Sequence, residues 1–199
     1  MSTLRTRAEQ KDATRARLLT VARQAFTQHG YADTSVGMVC RRARVTHGAL
    51  YHHFPGKQEL FEAVLAVVLG DLVAAIAAGV EGRCGWERLV AACDVYLDKC
   101  SDPTVIAVLL RDAPRVLPEP RFSELDRSAN EPLVVGLLEQ AMREGVLRQA
   151  PVVLLARLLG AAFAEAGTAI AESETPAETR AAVRHLLLDW LGALRVASS

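Results

Sequence analysis

Thr34-Ser35-Val36-Gly37-Met38-Val39-Cys40-Arg41-Arg42-Ala43-Arg44-Val45-Thr46-His47-Gly48-Ala49-Leu50-Tyr51-His52-His53-Phe54 is the stretch whose reading decides the fold. It reads as two short helices around a tight turn. Ser35 and Thr46 each stand just before a helical run, where a hydroxyl can accept from a first-turn amide that has no partner in the helix. Val39, Ala43, Val45 and Leu50 supply a small apolar seam between the two helices. The small side chains of Cys40 and Ala43 allow a close crossing. The second helix then turns His47, Ala49, Tyr51, His52 and His53 outward. This is the helix-turn-helix pattern, whose second helix suits the major groove of DNA.

The flanks extend that pattern. A first helix is expected from about Asp12 to His29, with Leu18, Ala22, Ala25 and Phe26 on one face, and Gly30 stands where a left-handed terminating residue is wanted. Residues 1–60 hold ten Lys+Arg against four Asp+Glu, a balance of +6, whereas residues 61–199 hold thirteen against nineteen, a balance of −6. The overall charge of zero therefore hides a basic front suited to a polyanion and an acidic back.

Helical periodicity runs through the rest, and no stretch alternates with period two. Aromatics are only 5% of the 199 residues while Ala, Leu and Val dominate, a mixture that favours packed helices over a β-sandwich. A fourth helix follows Gly56, with Glu59 three positions on as a partial capping arrangement, and ends near Gly79 to Gly82. Its apolar stretch from Leu60 is broken by Glu62, Gly70 and Asp71 and reads as a buried helix, not a membrane span. A fifth helix carries Trp86, Leu89, Val90, Cys93 and Leu97, and Asp102-Pro103 opens a sixth. The stretch from Ala113 to Asn130, with three prolines, is the least regular. Pro132 either starts a helix or kinks one begun near Arg121. Further helices begin at about Pro151 and after Thr175-Pro176-Ala177-Glu178, the clearest start in the chain.

The run Val45-Thr46-His47-Gly48-Ala49-Leu50-Tyr51-His52-His53-Phe54, with Lys57, Leu60-Phe61, Gly30-Tyr31 and Thr34-Ser35, closely resembles the DNA-binding signature of TetR-family regulators. The match is strong over residues 12–62; beyond that, the pattern of helices and the Pro176–Leu194 ending resemble the family. The resemblance implies an all-α chain of about nine helices. A helix-turn-helix DNA-binding domain would span 1–56 and a larger helical effector-binding and dimerisation domain 57–199. By the same resemblance Thr46, Tyr51 and Lys57 hold phosphates or the groove wall. His47, Gly48 and Ala49 face base edges, and His53 lies near the backbone. With Ser35 and Arg44 these form the candidate DNA-binding set. Lys57 and the free amides of a helix start are natural phosphate ligands, and a histidine can read a purine edge. Tyr51 and His52 also fit plain packing or solvated surface, and Arg41 and Arg42 fit either a solvated face or the flank of a backbone contact.

Two positions depart from the family pattern. Arg44 stands where the family prefers glycine in the turn, so a non-glycine residue is expected in a left-handed conformation. Gly37 stands where many members carry a DNA-contacting side chain, which shifts specificity onto the second helix.

The second half has no GxSxG, P-loop, GxGxxG or HExxH motif and offers no candidate for catalysis, cofactor or metal. Cys40, Cys84, Cys93 and Cys100 have no CxxC spacing and read as free thiols, and the polar start from Met1 to Asp12 carries no export signal, so the chain is expected in the cytoplasm. Gly160, Ala164, Gly167 and Ala171 form a small-residue stripe, and Val183, Leu187, Trp190 and Leu194 an apolar one. Together they would make a four-helix homodimer interface anchored by Trp190. Trp86, Cys93, Leu97, Leu110, Met142 and Phe163 are candidate walls of an effector pocket, with Arg111, Glu165 and Thr168 as polar contacts. The expected function is a repressor, homodimeric on a near-palindromic double-stranded DNA operator, that is released by a small hydrophobic or aromatic effector, with the fourth helix as lever. An activator, a ligand-independent regulator and a helical small-molecule carrier without DNA binding remain as alternatives.

Overall fold

The computed structural model describes residues 6–196; the first five residues of the polar start and residues 197–199 of the second expected domain lie outside the described residues. Among the described residues are nine α-helices, one π-helical segment and no strand. The helices are α1 (Arg7–Asp33), α2 (Val36–Ala43), α3 (His47–His53), α4 (Lys57–Val80), α5 (Gly85–Lys99), α6 (Ala113–Val116), α7 (Arg121–Arg143), α8 (Val152–Glu172) and α9 (Pro176–Gly192), and the π-helical segment, Val105–Asp112, leads directly into α6.

α1 starts earlier than its apolar periodicity suggests, because Thr6 and Glu9 form a reciprocal capping box at 3.2 and 2.7 Å. Gly30 takes φ 75° and ψ 173°, so the α1 backbone breaks at that point and resumes for one more turn. The Gly30 kink is the left-handed feature expected there, placed inside the helix instead of after it.

Leu60, Phe61, Val64, Leu65, Val68, Leu69, Leu72 and Ile76 of α4 are all buried. α4 and α8 are both long and apolar enough to cross a membrane, yet these α4 side chains are covered by α1, α5, α7 and the π-helical segment. At the α1 junction Phe26 and Tyr31 both meet Phe61 edge-on, with ring centroids 5.2 and 5.1 Å apart. The core cluster built on these rings runs without a break from α1–α3 into α4 and the π-helical segment.

Asp102 opens the sixth helical stretch as expected, its Oδ1 accepting from the amides of Thr104 and Val105 at 2.7 and 3.4 Å. That stretch then widens, with the Ala113 amide reaching back five residues to the Val108 carbonyl. α7 runs unbroken through Pro132, so the proline does not start it. α9 does begin at Pro176, but the Thr175 hydroxyl makes no cap; its amide is taken by Ser173 Oγ at 3.0 Å instead. Arg180 and Arg184 pair with Asp94 and Asp98 and tie α9 to α5. An antiparallel bridge between Leu147 and Arg195 closes the far end.

Phe61→Ala removes the ring on which α1 and α4 meet. It should lower unfolding free energy by about 3–5 kcal/mol in a urea titration. A loss below about 1 kcal/mol would show that this junction is not the core's centre.

Candidate nucleic-acid interface and ligand cavity

Each turn of the helix-turn-helix is closed by a side chain named from sequence. Ser35 Oγ accepts from the Met38 amide at 3.1 Å and starts α2. Thr46 Oγ1 accepts from the Ala49 amide at 3.1 Å and starts α3. Arg44 between them adopts φ 53°, ψ 48°, and is the one non-glycine residue with positive φ among those described. Its amide and that of Val45 satisfy the last carbonyls of α2. The left-handed turn that a glycine would make easily is therefore made by arginine, at a cost of about 1 kcal/mol.

Leu50 is fully buried beneath α3, beside Val39 and Ala43. The opposite side of α3 is open: Thr46, His47, Gly48, Tyr51 and His52 are exposed, and Ala49 and His53 half-buried. Gly37 lies against this surface, since a Cβ there would sit 3.5 Å from His47 Nε2. The missing side chain leaves room that the imidazole borders.

His53 is held below the ordinary imidazole range, first by burial and then by His52, Lys11 and Arg15. Arg42 bonds to Gln28 and His29 of α1 at 3.2 Å each, which makes it a brace within the chain. Lys57 differs from a free phosphate ligand: its ammonium donates to the Ala32 carbonyl at 3.1 Å and lies 4.2 Å from the centroid of the Tyr31 ring. Burial lowers its pKa, opposed in part by Asp33.

A second feature is a cavity of about 120 Å³ between α4, α5, the π-helical segment, α7, α8 and α9. Cys93 and Phe163, two of the expected walls, line it. The others stand elsewhere. Trp86 is half-buried against the α7–α8 core with Arg195 over its ring, and Leu97 is buried where α5 meets α9. Leu110 packs between clusters and Met142 belongs to the α7–α8 core. Arg111 bonds Asp112, and Glu165 is exposed. The Thr168 hydroxyl donates to its own helix, at the Ala164 carbonyl. Sequence reasoning missed Tyr96, Asp126 and Asn130 of the actual lining. Burial pushes the Cys93 thiol up to about 12, so it lines the cavity as a neutral apolar group.

The stripes expected to form a dimer face divide between interior and solvent, with Trp190 more than half exposed. Gly167 is buried, and a Cβ there would meet Cys100 Sγ at 2.9 Å. Leu187 is buried, Val183 packs beside it, and Leu194 packs on the α7–α8 core. Ala171 is half-buried, while Gly160 and Ala164 are exposed and also line the cavity. Among the described residues, the large apolar side chains left in solvent include Leu154 and Leu158 of α8 and Leu186 and Trp190 of α9, each more than half exposed at 57–63%.

Arg44→Gly should stabilise the chain by up to about 1 kcal/mol in denaturant unfolding, by relieving the left-handed backbone. Thr46→Ala should cost about 1 kcal/mol through the lost cap. An Arg44→Gly loss of similar size would instead show that the guanidinium carries stability.

Comparison with known proteins agrees with this architecture. Residues 18–64 match the family of bacterial regulatory proteins of the tetR type, and residues 86–194 match the tetracyclin repressor-like C-terminal domain. A TetR-family transcriptional regulator from Pectobacterium atrosepticum is 33% identical, with 98% of this chain and 100% of that one covered and a TM-score of 0.85. The transcriptional repressor KstR2 of Rhodococcus jostii is 29% identical over 145 residues, 69% of this chain and 70% of that protein. The regulator TtgW of Pseudomonas putida matches only over 62 residues, at 44% identity, covering 31% of this chain and 46% of that one. With a matching helix-turn-helix, a matching C-terminal domain and a full-length relative of the same shape, the chain belongs to the TetR family of DNA-binding transcriptional regulators.

Proposed function

We propose that the chain is a cytoplasmic repressor that binds a near-palindromic operator as a homodimer and leaves it when a small apolar molecule occupies the cavity. The observation that carries the DNA half is α3 itself. Leu50 locks one side of it into the core while Thr46, His47 and Tyr51 stand open on the other. A short helix presented this rigidly loses little freedom on entering a groove. In this reading His47, Gly48 and Ala49 meet base edges, while Ser35, Arg44, Thr46, Tyr51 and His53 approach the backbone. Lys57 has two further ammonium protons to offer a phosphate beside its bond to Ala32. The repressor sign is supported by the Rhodococcus relative, itself named a repressor.

The homodimer reading rests on the solvent-facing Leu154, Leu158, Leu186 and Trp190 of two adjacent helices. Such a patch on both of two copies can be self-complementary. The pairing must hold two α3 helices about 34–36 Å apart to fit one turn of duplex. We assign 1–56 to DNA binding and 57–199 to effector binding and dimerisation. Their coupling runs through α4 and through the π-helical segment, which contributes Leu109 to the cavity and Asp112 to α1. Asp112 accepts from the Tyr31 amide at 2.7 Å, just beyond the Gly30 kink. An effector that displaces Leu109 would move this contact and bias the angle of the DNA-binding helices.

Anisotropy titration of duplexes selected from a random pool tests the reading. Affinity should fall steeply, on the order of a thousandfold or more between 50 and 200 mM salt for six or more phosphate contacts, and Tyr51→Ala should weaken binding at least about tenfold without moving the unfolding midpoint. Trp190→Ala should shift the chain toward monomer in sedimentation and weaken operator binding with it. A flat salt response would contradict the operator reading, and a Trp190→Ala chain as dimeric as the parent would contradict this interface.

A further inference from the structure

One end of the cavity is polar. Asp126 and Asn130 lie one turn apart on α7 and both line it. Asn130 Nδ2 donates to Asp126 Oδ1 at 2.8 Å, a pairing that uses neither Asp126 Oδ2 nor Asn130 Oδ1. Two acceptors therefore remain at that end. No lysine, arginine or histidine lines the cavity among the described residues. Arg127, next in the chain, is exposed and bonds the Ser123 carbonyl of its own helix. The wider lining is aliphatic except for Tyr96 and Phe163, which meet edge-on at 5.2 Å, and the neutral Cys93.

We propose that this cavity takes a protonated amine carried on an apolar body of about one ring, its ammonium held between Asp126 and Asn130. The proposal rests on the reading of the cavity as the effector site and names the ligand class. Burial raises the Asp126 pKa, with Asn130 and Arg127 only partly offsetting it, so its ionised form is short of counter-charge and gains from an incoming cation. An ammonium supplies that charge and up to three donors, and the rings of Tyr96 and Phe163 suit a cation or an aromatic body. A hydroxyl would supply one donor and no charge. A carboxylate would meet Asp126 with no cation to offset it. The volume is comparable to apolar cavities of about 150 Å³ that hold one benzene-sized ring.

Calorimetric titration of the full chain with benzylamine, benzyl alcohol and benzoate tests this without any substitution. Benzylamine should bind on the order of tenfold or more tighter than benzyl alcohol, as charge-assisted bonds of this kind contribute, and benzoate should show no binding. Asp126→Asn should abolish the benzylamine advantage, leave benzyl alcohol within about threefold, and keep or raise the thermal midpoint because a desolvated charge is gone. Equal affinities across the series, no binding by any of the three, or an advantage that survives Asp126→Asn would overturn the proposal. Operator release measured in parallel separates the two readings. Amine binding that depends on Asp126 but leaves operator affinity unchanged would remove the effector reading alone. Release by benzyl alcohol or benzoate independent of Asp126 would remove this inference alone.

Discussion

The burial of α4 is the constraint on which the rest depends. Its first turns set Leu60 and Phe61 against α1 and the helix-turn-helix, and its last turns set Leu72 and Ile76 in the cavity wall. Each such side chain contributes about 1.5–3 kcal/mol by leaving water. A single helix therefore cannot slide or roll at one end without disturbing packed side chains at the other. Close-packed interiors transmit displacement of this kind because they have few voids to absorb it. The contact from Asp112 to the Tyr31 amide supplies a second tie between the same two regions, and it is polar and directional where α4 is apolar.

The helix-turn-helix was legible residue by residue because its determinants are local. Ser35 and Thr46 cap from adjacent positions, and the left-handed Arg44 stands where the family resemblance puts a glycine turn position. Cys93 and Phe163 of the cavity were legible, but its polar residues were not, for an equally physical reason. Asp126 and Asn130 sit in a stretch that reads as irregular for its three prolines, where a helix begun near Arg121 is only one of two alternatives; α7 does begin at Arg121, right after Pro120. The i, i+4 relation that brings the two side chains together exists only once that start is known. The α8 and α9 stripes were legible only in part, since Trp190, Gly160 and Ala164 face solvent while Gly167 and Leu187 are buried. Periodicity shows that Val183 and Leu187 share a face, but not whether that face meets a partner chain or α5. The Arg180 and Arg184 pairs with Asp94 and Asp98 set the rotation of α9, and those are contacts across more than eighty residues of sequence. The π-helical widening has no local signature at all in Val105–Asp112.

Among the features that run against local preference are the left-handed Arg44 and the half-buried Asp126. One stands in the turn that aims α3 and the other in the cavity. Departures from local consistency tend to concentrate where a protein does its work.

In the proposed function the open side of α3 meets a DNA duplex. Amide hydrogen exchange of the full chain, with and without a duplex selected for binding, tests it most directly. Exchange should slow chiefly between Thr46 and His53 and around Ser35, with smaller changes near Tyr31 where the two regions are tied. A bound duplex that leaves those amides unchanged, and slows exchange only in residues after α4, would contradict it.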